Sequence, residues 1–233
     1  MARLYNTLVN GADPGIPAVR TYLVRVLSDL ITRYDVDGVC LDFIRYPGRD
    51  FPDAETYRQF GNGMARDEWR RRNVSALVRD MHAAAARIKP ALKLGAAPLG
   101  NYGGPLSAQP DTKTTEGSVG DFLQESRTWL KNAWLDYLVP QVYWTLEFET
   151  RGPDFAHLVR SWMREAEGRH IYVGIGAYKP EIARQIPDQI TATRMLGAHG
   201  QVFFRYEHVR EMQVFGDWYA QPASVPTMRW KVR

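Results

Sequence analysis

The run Val36-Asp37-Gly38-Val39-Cys40-Leu41-Asp42-Phe43-Ile44-Arg45-Tyr46-Pro47 decides the fold. Residues 36–43 read as a strand with Val39, Leu41 and Phe43 apolar, and Tyr46-Pro47-Gly48 opens a loop. Residues two apart share a strand face, so Cys40 and Asp42 point the same way. A carboxylate at the end of an apolar strand is costly to bury unpaired. Arg45 is close enough along the chain to be the counter-charge of Asp42. The pair reads as a structural closure of the strand or as the support of a nucleophile or general acid/base. The strand-end position favours the second reading. Asp37, at the opposite end, reads as a turn or cap residue.

Upstream, Asp13-Pro14-Gly15 is a turn and Pro17 suits a first helical turn. Val19, Tyr22, Leu23, Val26, Leu27, Leu30 and Ile31 then follow helical spacing. Downstream, residues 49–63 are polar, with Phe51, Tyr57 and Phe60 as anchors, and residues 67–88 read as a second helix. Further strands are expected at 93–98, 137–144, 171–178 and 201–206, with helices at 120–132, 155–166 and 186–196 between them. Residues 100–120 are rich in Gly, Pro, Ser and Thr and too long for a plain connector, so they read as a functional loop.

Five strands alternating with helices imply a parallel α/β sheet, either an open doubly wound sheet or a (β/α) barrel. No Gly-rich phosphate fingerprint follows a strand. Polar and aromatic residues instead gather at the carboxyl ends of the strands: Asp42 to Tyr46, Asn101 and Tyr102, Gln141 with Tyr143 and Trp144, Tyr178 and Lys179, and Arg205 and Tyr206. In a barrel that rim is the active face. Residues 1–216 are expected to form the barrel portion, and 217–233 an irregular tail.

Composition narrows the class. The 233 residues are 45% hydrophobic and 24% charged, which excludes a disordered, collagenous or coiled-coil chain. One cysteine allows no intramolecular disulfide. The net charge of +4 is mild and dispersed, so no nucleic-acid partner is expected. No apolar run of about 20 residues spans a membrane, and the opening residues carry no signal peptide. The histidines at 82, 157, 170, 199 and 208 show no ligand spacing, so neither metal nor cofactor is expected. No G-x-S-x-G elbow is present for a serine triad. Cys40 reads as a small apolar filler. The aromatic content, with 7 Trp, 12 Tyr and 9 Phe, suits stacking on sugar rings.

Glycoside hydrolysis uses two carboxyl groups across the scissile bond. Asp42 is the first candidate, and Glu147 or Glu149, after the third strand, is the candidate partner; each glutamate reads equally well as a solvated loop charge. Asp111 and Glu116 are weaker candidates. Arg45, Tyr46, Asn101, Tyr102, Gln141, Tyr143, Trp144, Tyr178, Lys179 and Arg205 are the expected substrate-binding set.

Residues 13–53 closely resemble the bacterial glycosyl hydrolase-like family 10 proteins, above all in DGVCLDFIRYP at 37–47. The blocks at 67–90, 92–103 and 129–145, then IYVGIGAYK at 171–179 and GQVFFRY at 200–206, agree in the same order. The resemblance implies a TIM-barrel-type glycosidase fold acting on a polysaccharide or peptidoglycan-like glycan, in a bacterial envelope or secreted setting. It matches Asp42 to the family's strand-end acid, Tyr46-Pro47 to its following Tyr-Pro, Gln141, Tyr143 and Trp144 to its PQxYW block, and Tyr178-Lys179 to its AYK. Some members carry two consecutive acids at the strand end, where this chain has Phe43. The motif is also similar to the DGxDxDxEYP signature of family 18 chitinases, but no glutamate precedes Tyr46-Pro47, so substrate-assisted chemistry is not supported. The first recognisable block is the helix leading into the family's fourth strand. The expectation is therefore a partial barrel of five parallel strands, lacking the first three βα units, with open edges that invite self-association. A non-catalytic glycan-binding barrel and an inactive fragment stay open as alternatives.

Overall fold

The computed structural model describes residues 12–103, 120, 122–146, 154–210, 212, 218–219 and 223–231. Pro17 opens α1 (Pro17–Arg33), where its missing N–H costs no helical hydrogen bond. Asp13 Oδ1 accepts the Gly15 N–H at 2.7 Å and closes the turn before it. Leu27 and Ile31 of α1 are buried where it packs on α3 (Arg66–Ile88). Trp69, Val74, Leu77, Val78, Met81 and Ala85 form the buried stripe of α3 at helical spacing. Tyr22, Val26 and Leu30, each one turn apart on α1, stay exposed.

Among the described residues five strands form: β1 (Gly38–Leu41), between α1 and α3, then β2 (Lys93–Ala96), β3 (Tyr137–Leu138), β4 (His170–Ile175) and β5 (Gly200–Phe203). They pair in that order and all in parallel. A doubly wound sheet reverses its order at a switch point; this sheet does not, and it curls into a half-barrel. Leu94, Ala96, Leu138, Ile171, Val173 and Ile175 are buried toward the helices. Cys40, Tyr137, Gly174 and Val202 line the concave side. Gly95 is required on that side, because a Cβ there would sit 2.3 Å from the Tyr137 ring.

The helices α4 (Ser126–Lys131), α5 (Phe155–Arg164) and α7 (Ile186–Met195) join consecutive strands. Short helices α2 (Ala54–Phe60), α6 (Pro180–Ala183) and α8 (Tyr206–Arg210) sit in the loops. Several expectations change: α4 begins only at Ser126, β4 ends at Ile175, and β5 ends at Phe203 with α8 opening at Tyr206. The polar stretch 49–63 contains α2. The strand expected at 137–144 pairs only at Tyr137 and Leu138, with isolated bridges from Gln141 to Leu99 and Gly174. Pro140 lacks the N–H that a continuous ladder needs.

The amino ends of the strands form the floor, and residues 223–231 lie against it through a 3₁₀ turn, Arg229–Lys231. Asp136, 2% exposed, is the anchor. Its Oδ2 accepts the Leu94 N–H at 2.8 Å, and its Oδ1 accepts the Trp230 indole N–H at 2.7 Å. Lys231 Nζ pairs with it at 3.1 Å, and Arg169 lies over the Trp230 ring. Beside this cluster the His170 and His199 rings stack at 4.0 Å, and Trp230 meets His170 edge-on.

Burial lowers the pKa of His170 and His199, and of His82 nearby, with the charge of His199 adding to the effect on His170. Depressed folded values mean the unfolded chain binds more protons just below the ordinary histidine pKa of about 6.5. Stability is therefore full above that value and falls as the pH drops below it. A urea-unfolding midpoint lower at pH 5.5 than at pH 7.5 is the expected result, with a H170F/H199F double variant losing most of the difference.

Candidate active site at the carboxyl ends of the strands

β1 delivers Asp42 to the rim one residue past Leu41. Phe43 then adopts a positive φ of 51°, unusual for a bulky residue, and ends the strand. That turn lets the Phe43 N–H donate to Asp42 Oδ1 at 2.8 Å. Gln141 Nε2 donates to the same oxygen at 3.2 Å and to the Ala97 carbonyl at 3.3 Å. The two N–H donors hold this oxygen as an acceptor and fix the orientation of the carboxyl group, leaving Oδ2 toward the cavity. Arg45 does not close the strand as its counter-charge: the two form no ion pair, and the guanidinium lies over the Phe43 and Phe122 rings instead.

A concave cavity of about 320 Å³ lies in front of Asp42, with Gln141, Tyr143 and Phe204 among its walls. Tyr143 stacks on Phe204 at 6.0 Å, and Tyr178 meets both rings edge-on. Burial, then the charge of Asp42, pushes the Tyr143 phenol upward, so it stays a neutral donor. Cys40 also faces this cavity and is exposed there rather than packed as a filler; desolvation and Asp42 push its thiol up to about 11, which disfavours a thiolate.

The other expected residues are placed differently. Tyr46 is fully buried, under the Arg70 guanidinium and edge-on to Phe51, so its ring stands behind the wall and cannot touch substrate as folded. Its N–H is drawn inward to the Phe122 carbonyl at 3.2 Å. Asn101 accepts the Gly103 N–H and shapes the exit from β2. Tyr102 packs edge-on to Trp162 beneath Arg127, and burial pushes its phenol up to about 12. Trp144 gives its carbonyl to Gln189 at 3.0 Å. Lys179 Nζ donates to the Tyr143 carbonyl at 3.0 Å, bracing the aromatic wall. Arg205 is exposed and pairs with Glu207. Glu147, Glu149, Asp111 and Glu116 lie outside the described residues.

Sequence reading missed two features. Phe204, 44% exposed, completes the aromatic wall; it shares the strand face of Val202, and the period of two was the available signal. The second is the Asp53–Arg70 pair, which fixes the loop between Asp42 and α3. Arg70, 1% exposed, donates to both Asp53 oxygens at 2.7 Å and to the Arg49 and Phe51 carbonyls at 2.8 Å. Burial alone would raise the Asp53 carboxyl, but hydrogen bonds from Arg70 and Arg66 outweigh it and hold the pKa below its ordinary value. An arginine on the apolar stripe of a helix was the sign of this pair.

A parallel half-barrel with a carboxylate and an aromatic wall on its carboxyl rim is the scaffold of a barrel-type glycosidase. A family model described as glycosyl hydrolase-like 10 matches residues 6–191, and the chain belongs to that family. The glycosyl hydrolase YngK of Bacillus subtilis is 30% identical over 93% of this chain and 47% of its own length. The glycosyl hydrolase DigH of Escherichia coli is 31% identical over 72% of this chain and 39% of its own length. The chain thus spans less than half of either relative. A looser likeness is to crystalline bee venom hyaluronidase in complex with a hyaluronic acid tetramer: TM-score 0.40 and 14% identity, over 90% of this chain and 65% of that one. That overlap is too loose to carry an argument.

Replacing Arg70 by Met leaves the Asp53 carboxylate buried with only the half-exposed Arg66 as an ionic partner. Breaking a buried pair from one side costs about 3 kcal/mol or more. Denaturant unfolding of R70M should show a loss of that order.

Proposed function

We propose that this chain carries the catalytic rim of a glycoside hydrolase acting on a polysaccharide or peptidoglycan-like glycan, with Asp42 as its main catalytic carboxylate. The reading rests on one observation above all. Asp42 is exposed at the head of a cavity, its Oδ1 held by the Phe43 N–H and Gln141, opposite a wall of Tyr143 and Phe204. Family membership supports the reaction class.

A sugar ring stacks its C–H face on an aromatic wall and offers its hydroxyls to the polar rim. Gln141 orients Asp42, and Lys179 holds the backbone under Tyr143. With Oδ1 engaged by its two donors, Oδ2 is the oxygen left to face the anomeric carbon or the attacking water. The second carboxyl group is assigned to Glu147 or Glu149. A separation of about 5–5.5 Å from Asp42 would make the enzyme retaining, and about 6.5–9.5 Å inverting. Arg45, Trp144, Tyr178, Asn101, Tyr102 and Arg205 are proposed to contact or support the glycan farther along the rim. An extracytoplasmic setting goes with such a substrate.

The test is Asp42→Asn, assayed for release of reducing ends from soluble glycans. Turnover should vanish while the thermal midpoint holds. Turnover retained by D42N would remove Asp42 from the chemistry. Binding of oligosaccharide by the unsubstituted protein without release of reducing ends would make it a glycan-binding module.

A further inference from the structure

The Arg45 guanidinium is held in place without an acceptor among the described residues. Its carbon lies 4.3 Å from the centre of the Phe122 ring and 4.9 Å from that of Phe43. Contacts to aromatic faces fix a guanidinium without consuming its N–H donors. None of those donors has a hydrogen-bond acceptor among the described residues; Nη1 is sealed away from the cleft, so the donors a ligand can reach are Nε and Nη2, which together form one side of the guanidinium fork.

The nearest candidate acceptor does not pair with the guanidinium. Asp42 lies close enough to influence the Arg45 charge, but its Oδ1 is taken by the Phe43 N–H and Gln141. Burial lowers the pKa of Arg45, and the Asp42 charge offsets only part of that. The positive φ of Phe43 sets Asp42 and Arg45 along the same cleft, about 430 Å³, whose lining includes both. Phe43 itself is 55% exposed at the mouth, an apolar ring positioned over a cation.

We propose that Arg45 is the receptor for a carboxylate on the glycan, so that the cleft beside Asp42 takes an acidic sugar. This rests on the glycan reading above and narrows its substrate class. A planar carboxylate matches the guanidinium fork, forming two parallel charge-assisted hydrogen bonds. The bound acid supplies acceptors for Nε and Nη2, the donors open to the cleft, and its charge is compensated in a half-buried place. A neutral hexose hydroxyl supplies one acceptor and no charge.

The test uses a matched pair of ligands: a β-1,4-linked glucuronic acid tetrasaccharide and cellotetraose, which differ only in oxidation at C6. Calorimetric binding to the unsubstituted protein should favour the acid by about tenfold, as expected for hydrogen bonds to a charged group. Arg45→Met should bring the two affinities together by weakening the acid alone. Arg45→Lys, which keeps the cation but not the fork, should fall between, and it covers the case in which R45M does not fold. Added salt should weaken the acid more than the neutral ligand. Equal affinities in the unsubstituted protein, or equal weakening of both ligands by R45M and R45K, would overturn the proposal and leave Arg45 a structural cation between two rings. Failure of either tetrasaccharide to bind the unsubstituted protein would instead count against the glycan reading beneath it.

Discussion

Short parallel strands leave backbone groups unpaired at their ends, and this structure is arranged around satisfying them. The strands run for two to six residues, and β3 for only two. Every buried N–H and C=O beyond the ladder needs another partner. At the carboxyl rim glutamine carboxamides, which can both donate and accept, supply several of them. Gln124, fully buried, accepts the Leu99 N–H and donates to the Ile44 carbonyl, joining the loops after β1 and β2. Gln141 donates to the Ala97 carbonyl; Gln185 and Gln189 take the Leu146 N–H and the Trp144 carbonyl. The loops of the rim are thus built onto the sheet and do not merely emerge from it.

The two ends of the half-barrel use opposite chemistry for that task. On the floor the partner is a full charge: Asp136 binds the Leu94 N–H, and three groups near the tail compensate it. A buried carboxylate is tolerable there because Trp230, Lys231 and Arg169 surround it. On the rim the braces are mostly neutral amides, with Lys179 on the Tyr143 carbonyl as a charged exception. Asp42 and Arg45 there meet the same cleft without pairing with each other.

How much of this could be read in the chain depends on the range of the interaction. Asp42 was legible because an acid closing an apolar strand is a local anomaly. Five apolar runs separated by helical spacing announced the parallel strands, while their barrel-like order was implied only by the family resemblance. Tyr46 was misplaced because its side depends on the left-handed turn at Phe43, which no periodicity announces and which only a bulky residue at positive φ reveals. The Asp53–Arg70 pair spans 17 positions and the Trp230–Asp136 bond 94, so neither leaves a spacing signature. The α2 helix was hidden by its polarity: none of its residues is buried, so no apolar stripe marks it.

Arg45 shows why the pairing of opposite charges cannot be read from proximity in sequence. Only Phe43 and Ile44 separate it from Asp42, and both meet the same cleft. An ion pair between them would cost each its hydrogen-bonding freedom toward a substrate. The backbone prevents that outcome by giving Asp42 the Phe43 N–H, while the Phe43 and Phe122 rings hold Arg45 to one side. A single residue in an unfavourable conformation therefore keeps a carboxylate and a guanidinium apart at close range, and the strain of that conformation is offset by the bonds it permits.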